Sequence, residues 1–365
     1  MSLANAPLGR RSLALAAAGL ALPGILRAQG ADMAGRTIEW IVPFPPGGGT
    51  DTWARFHLPF LQRYLRGQPT IVIRNVPGAG GLTGTNQFAA RAQPDGLMLL
   101  ATTASIQFPF LLGDRRVRYD YAAWTPLVAG PTGGVVYVRP ELGVRGPADL
   151  PRLRAARDLR YGSQGPTTLD LVPALAFEML GLDVQIVFGV VSRAVGRVSF
   201  ERGETPIDYQ TTGAYLTQVR PLVERGLAVP LFSWGILDAG GNFVRDPNFP
   251  DLPHFAEFFE AATGSPPSGP AWEAMRVMLI AGFAAQKFTV LPRATPAAIV
   301  ETYRAAYRAM FRDPDYLANR GTTIGEYDET TDATCEAAYR AATTIAPEAR
   351  AWIQAWLARR FNVTL

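Results

Sequence analysis

The chain has 365 residues, 48 % hydrophobic and 18 % charged, which is enough to bury the cores of two globular domains and excludes a disordered protein. Its one cysteine, Cys335, excludes an intramolecular disulfide, and its two histidines, His57 and His254, give no Cys/His cluster at metal-ligand spacing. A formal charge of only +4, with no arginine-rich stripe outside the N-terminus, argues against a nucleic-acid partner.

Residues 1–28 read as an export signal. Arg10 and Arg11 precede a weakly apolar, alanine-rich run over 12–26, and a small-residue cleavage point follows Ala28. The adjacent arginines point to the twin-arginine variant. A membrane anchor is the alternative, but about 14 residues interrupted by Pro23 and Gly24 fall short of the roughly 20 that span a bilayer. The expectation is a periplasmic mature chain beginning near Gln29. Losing Arg10, Arg11 and Arg27, and no acid, takes the formal charge from +4 to +1.

In chain order, "TIEWIVPF" is a short β-branched and aromatic run that predicts a strand, and residues 52–65 carry Trp53, Phe56, Phe60 and Tyr64 at helical spacing. "PTIVIRNVPGAGG" reads as a strand and a glycine loop, "TGTNQFAARAQPDG" as a helix stopped by Pro94 and Gly96, and "LMLLATTAS" as a buried strand. A second unit follows: "TGGVVYVRPEL" as a strand, "GPADLPRLRAAR" as a helix, "LRYGSQGPTT" as strand and loop, "LDLVPALAFEMLG" as a helix, then "TPIDYQTT" and "AVPLFSWG" as strands. In "TPAAIVETYRAAYRAMF" a threonine cap and a proline predict a structural helix. Alternating strands and helices give an α/β fold of two lobes, each a mostly parallel sheet flanked by helices, joined by a two-strand hinge. Lobe 1 is expected to comprise 36–130 and 232–365, and lobe 2 131–231. Loops at the carboxyl ends of the strands then face an interlobe cleft, where ligands of open α/β sheets bind.

"VPFPPGGGTDTWAR" asks which anion its glycine turn would hold. A phosphate loop needs Gly-Lys-Ser/Thr, whereas Gly49 is followed by Thr50 and Asp51, and the acid would repel a nucleotide. "NVPGAGGLTGTN" lacks the G-x-G-x-x-G spacing of a dinucleotide site. A glycine turn leading into a helix N-terminus can instead hold a carboxylate through backbone N–H groups. The contact is assigned to Phe44, Pro45, Pro46, Gly47, Gly48 and Gly49, with Asp51 in a capping or water-holding role.

"VPFPPGGGTDTWAR", "NVPGAGGLTGTNQFAARAQPDGLMLL" and "ATTAS", in this order and spacing through 38–105, resemble the Bug/TctC family, the periplasmic solute-binding proteins of tripartite tricarboxylate transporters. The resemblance is looser over 106–235 and thin near the C-terminus. It implies a Venus-flytrap fold, a mono- or dicarboxylate held between the lobes, no cofactor and no catalysis. The partners it implies are that small organic anion and membrane transporter subunits, with the binding protein itself a monomer. Carried onto this sequence, the first-lobe contacts fall on the "PFPPGGG" loop and on Thr102, Thr103 and Ser105. Those of the second lobe fall on Ser163, Gly165, Thr167 and Thr168 of "YGSQGPTT", with Tyr209 and Thr212 as further wall residues.

The departures are specific. The family usually has a histidine shortly after the Gly-Thr of the second-lobe loop, where Leu169 and Asp170 stand, and often an Asp where Thr211 and Thr212 stand. The stretch "GVVSRAVGRVSFERGETPIDY" replaces a lysine-glycine-glycine run and adds Arg193, Arg197 and Arg202, one of which could reach the cleft, though three arginines on a helix read as a solvated face. Two other function classes stay open: a sensory binding protein, for which the same cleft would serve, and an exported enzyme, which would need a titratable pair that the loops do not show. "YGSQG" is not the hydrolase elbow G-x-S-x-G, because Tyr161 stands two residues before Ser163.

Overall fold

The computed structural model describes residues 31–238, 241–284 and 286–365. The expected export signal lies outside them. The first half of the chain runs β1 (Thr37–Val42), α1 (Gly49–Tyr64), β2 (Thr70–Asn75), α2 (Leu82–Arg91), β3 (Met98–Thr102), α3 (Ala104–Leu112), β4 (Trp124–Gly130) and β5 (Gly134–Val138). It continues with α4 (Leu150–Ala155), β6 (Arg160–Ser163), α5 (Leu171–Met179), β7 (Gln185–Phe188), α6 (Arg193–Glu201), β8 (Ile207–Thr211), α7 (Thr212–Ala214), α8 (Arg220–Glu224) and β9 (Val229–Ser233). The remainder is β10 (Ile236–Leu237), β11 (Phe243–Val244), α9 (Phe255–Thr263), α10 (Pro270–Leu279), β12 (Lys287–Pro292), α11 (Ala297–Met310), α12 (Pro314–Thr323), α13 (Asp332–Ala342) and α14 (Pro347–Phe361).

The architecture is a two-lobed α/β fold. The first sheet has the order β2-β1-β3-β12-β4. Its first three strands are parallel, as "TIEWIV", "TIVIRN" and "MLLAT" joined by helices require. β12 runs antiparallel between β3 and β4, with Phe288 opposite Thr102 and Lys287 opposite Gly130. The second lobe carries an antiparallel sheet, β8-β5-β9, and a parallel pair, β6-β7. Parallel pairing is thus concentrated in β2-β1-β3 and β6-β7, and the strands at the lobe junction are antiparallel.

α1 turns Trp53, Ala54, His57, Phe60 and Leu61 inward, a helical stripe that packs on the first sheet with Trp40, Ile41 and Leu100. α3 is apolar all round and ends at Gly113, whose φ of 75° suits the left-handed cap. Its first turn adjoins β3, while Phe108, Leu111 and Leu112 are buried in a second cluster with α5, α10 and α14. That cluster also takes Phe255 and Phe258 of α9 and Trp356 of α14. The apolar faces of α9, α10 and α14 thus share one core with α3 and the second sheet. The expected threonine cap of α11 is replaced: Pro296 occupies the cap position and no side chain caps the helix.

Candidate functional site

A cavity opens where both sheets present strand ends. Its walls are Phe44, Gly48, Gly49 and Thr50 after β1, Thr103 and Ser105 after β3, Gln164 and Leu169 after β6, Ser192 and Arg193 after β7, Thr211 at the end of β8, and Gln286 and Lys287 at the start of β12. β12 contributes its beginning because it is antiparallel: its N-terminal residues meet the carboxyl ends of β3 and β4. The cavity is small, about 30 Å³ counted by the centres of the waters it would admit. An adjoining one of about 20 Å³ shares Gly49, Thr211 and Lys287 and adds Trp53, Tyr327 and Glu329.

Two helix starts in this wall are left open. Gly48 caps α1 and Thr103 caps α3 without any side-chain hydrogen bond to the first turn; Asp51 in the first turn of α1 offsets part of its positive end, whereas α3 has no acid there. α6 is capped by the Ser192 hydroxyl, which accepts from the Val195 N–H at 3.3 Å.

Two cations line the cavity, and they differ. Arg193 is buried between the rings of Tyr161 and Tyr209, 4.9 and 5.1 Å from the guanidinium. It donates to Asp208 and to the Gly162 carbonyl, with the Asp170 carboxylate 3.6 Å from its Nε. Burial opposes its charge, but Asp170 holds the pKa above the ordinary arginine value. The expected solvated face therefore fails for Arg193, because the start of α6 packs against β6 and β8. Arg197 pairs with Glu201, and Arg202 is exposed.

Lys287 is 5 % exposed, and its Nζ donates to the Thr50 hydroxyl at 2.9 Å. Among the described residues no carboxylate lies within 4.0 Å of it, and burial pushes its pKa down to about 7. Beside it, the Gln286 side chain is fully buried, and neither amide atom is hydrogen-bonded among the described residues. Sequence reasoning missed both. One signal was available: Lys287 is the single lysine of a chain with 34 arginines.

Of the residues expected at the site, Phe44, Gly48, Gly49, Thr103 and Ser105 line the cavity. Pro45, Pro46 and Gly47 form the outer turn of the loop, and the Gly47 N–H donates to Asp51 at 2.9 Å. Asp51 also accepts from Asn75 and Arg55, which ties the loop to β2 and to α1. Thr102 accepts from the Tyr121 hydroxyl behind β3. Ser163, Gly165 and Thr168 bond among themselves in one turn, and Thr167 donates to Asp114 at 2.8 Å. Tyr209 lies beneath Arg193 against Trp234, and the Thr212 hydroxyl bonds that of Tyr327 at 2.6 Å. Thr50, Gln164, Leu169, Ser192, Arg193 and Thr211 line the cavity without having been singled out as contacts. A larger hollow of about 400 Å³ near the lobe crossing is lined mainly by apolar residues, with Glu326 and Asp328 at its edge paired to Arg320.

Comparison with known proteins supplies the affiliation. No family model matches the chain. Over 96 residues it is 44 % identical to protein BugT of Bordetella pertussis, a match spanning 26 % of this chain and 28 % of BugT. A UPF0065 protein of the tcbD–tcbE intergenic region of Pseudomonas sp. (strain P51) is 28 % identical over 86 % of the chain and 85 % of its own length. The structure of the periplasmic binding protein BugD superposes with a TM-score of 0.67 at 20 % identity, covering 88 % of this chain and 97 % of BugD. In sequence and fold the chain is similar to Bug proteins. Other solved structures it resembles are R. palustris Rpa4515 with adipate (TM-score 0.69, 22 % identity, 90 % and 98 % covered) and Rhodopseudomonas palustris MatC with bound malate (0.63, 20 %, 84 % and 96 %). At these identities they share the fold with this chain.

Proposed function

We propose that the protein is an extracytoplasmic solute-binding protein that captures a small organic carboxylate between its lobes and delivers it to a membrane transporter of the tripartite tricarboxylate type. The observation that carries this reading is a cavity at the strand ends, walled by two open helix starts and a cation without a counterion. All three favour an anion. The malate and adipate bound by MatC and Rpa4515 support the same ligand class. The cavity's titratable side chains are Arg193 and Lys287. The solute-binding proteins with bound acids among its structural neighbours support binding without turnover. Among the described residues no helix is long and apolar enough to cross a membrane. The proposed protein is periplasmic and acts as a monomer once its signal is removed.

Native mass spectrometry of freshly purified mature protein is expected to show an added mass that fits a small carboxylic acid, lost on exhaustive dialysis against acid-free buffer. A protein that purifies without such a mass and binds no carboxylate in calorimetry overturns the reading.

A further inference from the structure

Among the described residues, the buried ionisable groups around Lys287 already have partners. Glu329 accepts from His57, Trp53 and Tyr316; Tyr327 donates to Asp246; and Asp51 is held by Asn75 and Arg55. Arg193, across the cavity, is committed to Asp208 and Asp170. Lys287 is left with one neutral hydroxyl, and Gln286 beside it with nothing. A buried charge and an unpaired amide are both costly unless a partner arrives.

We propose, resting on the carboxylate-binding reading above, that Lys287, with Gln286 and Thr50, is the subsite that receives a single carboxylate, and that the ligand is a short monocarboxylate whose other end is neutral and polar. Among the described residues Lys287 is the one cavity cation without a carboxylate beside it, so a carboxylate is best received there. The second-lobe side presents Gln164, Ser192 and Thr211, with Arg193 already neutralised by two aspartates, and suits a neutral end. The tight space favours a short chain, and those second-lobe groups suit a hydroxyl or carbonyl substituent.

Lysine has a property here that arginine lacks. An arginine would stay charged and need a permanent counterion, whereas a lysine ammonium can give up its proton while the cavity is without an anion. With the free amine titrating at about 7, a carboxylate arriving above that pH brings a proton from solvent onto Nζ. Anion and proton enter together and no net charge is buried. The carboxylate then raises the amine's pKa in the complex. Affinity therefore falls as pH rises from about 7 toward the complexed value, by up to about tenfold per unit, and is flat below it as far as Lys287 is concerned.

Because the chain has one lysine, protein grown on [ε-13C]lysine gives one side-chain signal. That signal is titrated from about pH 6 to about 10 in the mature protein alone and with saturating lactate, malate or adipate. Calorimetry measures the same three acids against wild type, Lys287→Met and Gln286→Leu. Lactate is expected to bind best and to move the Lys287 titration upward. Lys287→Met should lose about ten- to a hundredfold in affinity together with the pH dependence. If an acid binds while the Lys287 titration stays put, the subsite is overturned and carboxylate binding stands; this arm uses wild-type protein and decides even if Lys287→Met does not fold. Tighter binding of malate or adipate than of lactate overturns the single-carboxylate assignment. Binding of none of the three overturns both this inference and the function beneath it.

Discussion

At the scale of single residues, Lys287 ties stability to pH. Its folded pKa, about 7, lies below the ordinary value of 10.5, so between those two the unfolded chain binds a proton that the ligand-free folded chain does not. Stability therefore rises with pH across that window, and the gain is absent below about 7, where both states are protonated. The slope approaches about 1.4 kcal/mol per pH unit for one full proton. Above about 10 the buried tyrosines act the other way: Tyr121, Tyr161 and Tyr209 have raised folded pKa values, so ionisation favours the unfolded chain. Urea unfolding of ligand-free protein is expected to give a midpoint that climbs from pH 7 toward 10 in wild type and stays level in Lys287→Met. Parallel profiles for the two would show that the amine is not held near neutrality.

At the scale of elements, what the sequence made legible is the strand, turn and helix grammar, and what it hid is the facing of individual residues. Thr103, Gln164 and Thr211 line the cavity, while their neighbours Thr102, Ser163 and Thr212 point into other contacts. Side chains alternate faces along a strand, so an error of one residue at a strand end exchanges a ligand wall for a core contact. Lys287 escaped for another reason. "KFTVLP" reads as an ordinary strand, and only its antiparallel insertion between β3 and β4, set by contacts more than 150 residues apart in sequence, carries its first residue into the cleft. The open glycine turn, by contrast, was readable from residue type alone. A Cβ at Gly48 would meet nothing within 4 Å, and φ there is −85°, so a side chain is accommodated by the fold but projects into a cavity wall. Gly48→Val is therefore expected to melt at close to the wild-type temperature while losing at least about tenfold in carboxylate affinity. Normal affinity in a folded Gly48→Val protein would move the ligand away from the β1–α1 turn.

At the scale of the molecule, polar contacts join the two sides of the cleft. The Leu169 N–H donates to the Ser105 hydroxyl at 3.2 Å, the Thr167 hydroxyl to Asp114 at 2.8 Å, and the Thr212 and Tyr327 hydroxyls bond at 2.6 Å. Gly49 approaches Thr211 so closely that a Cβ would stand 2.3 Å from its hydroxyl oxygen, and a Cβ on Gly80 would stand 2.7 Å from a Thr168 methyl. Hydrogen bonds contribute about 0.5–1.5 kcal/mol each between neutral groups and about 1.5–3 kcal/mol to a charged one, so a ligand touching both sides would add to the seam. Ligand should therefore shift the molecule toward this compact arrangement, and the radius of gyration in small-angle scattering should fall at saturation with whichever acid binds. Gly49→Ala separates closure from ligand contact. Its backbone, the first residue of α1, accepts alanine, but the added methyl collides with Thr211 from the other lobe and obstructs the last step of closing. The variant is expected to keep its melting temperature without ligand, to contract less when ligand is added, and to release ligand faster. Restoring room on the other side in Gly49→Ala/Thr211→Ser leaves the hydroxyl in place, so it should not rescue closure, whereas Gly49→Ala/Thr211→Ala should. Identical scattering with and without saturating acid in the wild type, or full contraction of Gly49→Ala, would mean that the seam does not form on binding.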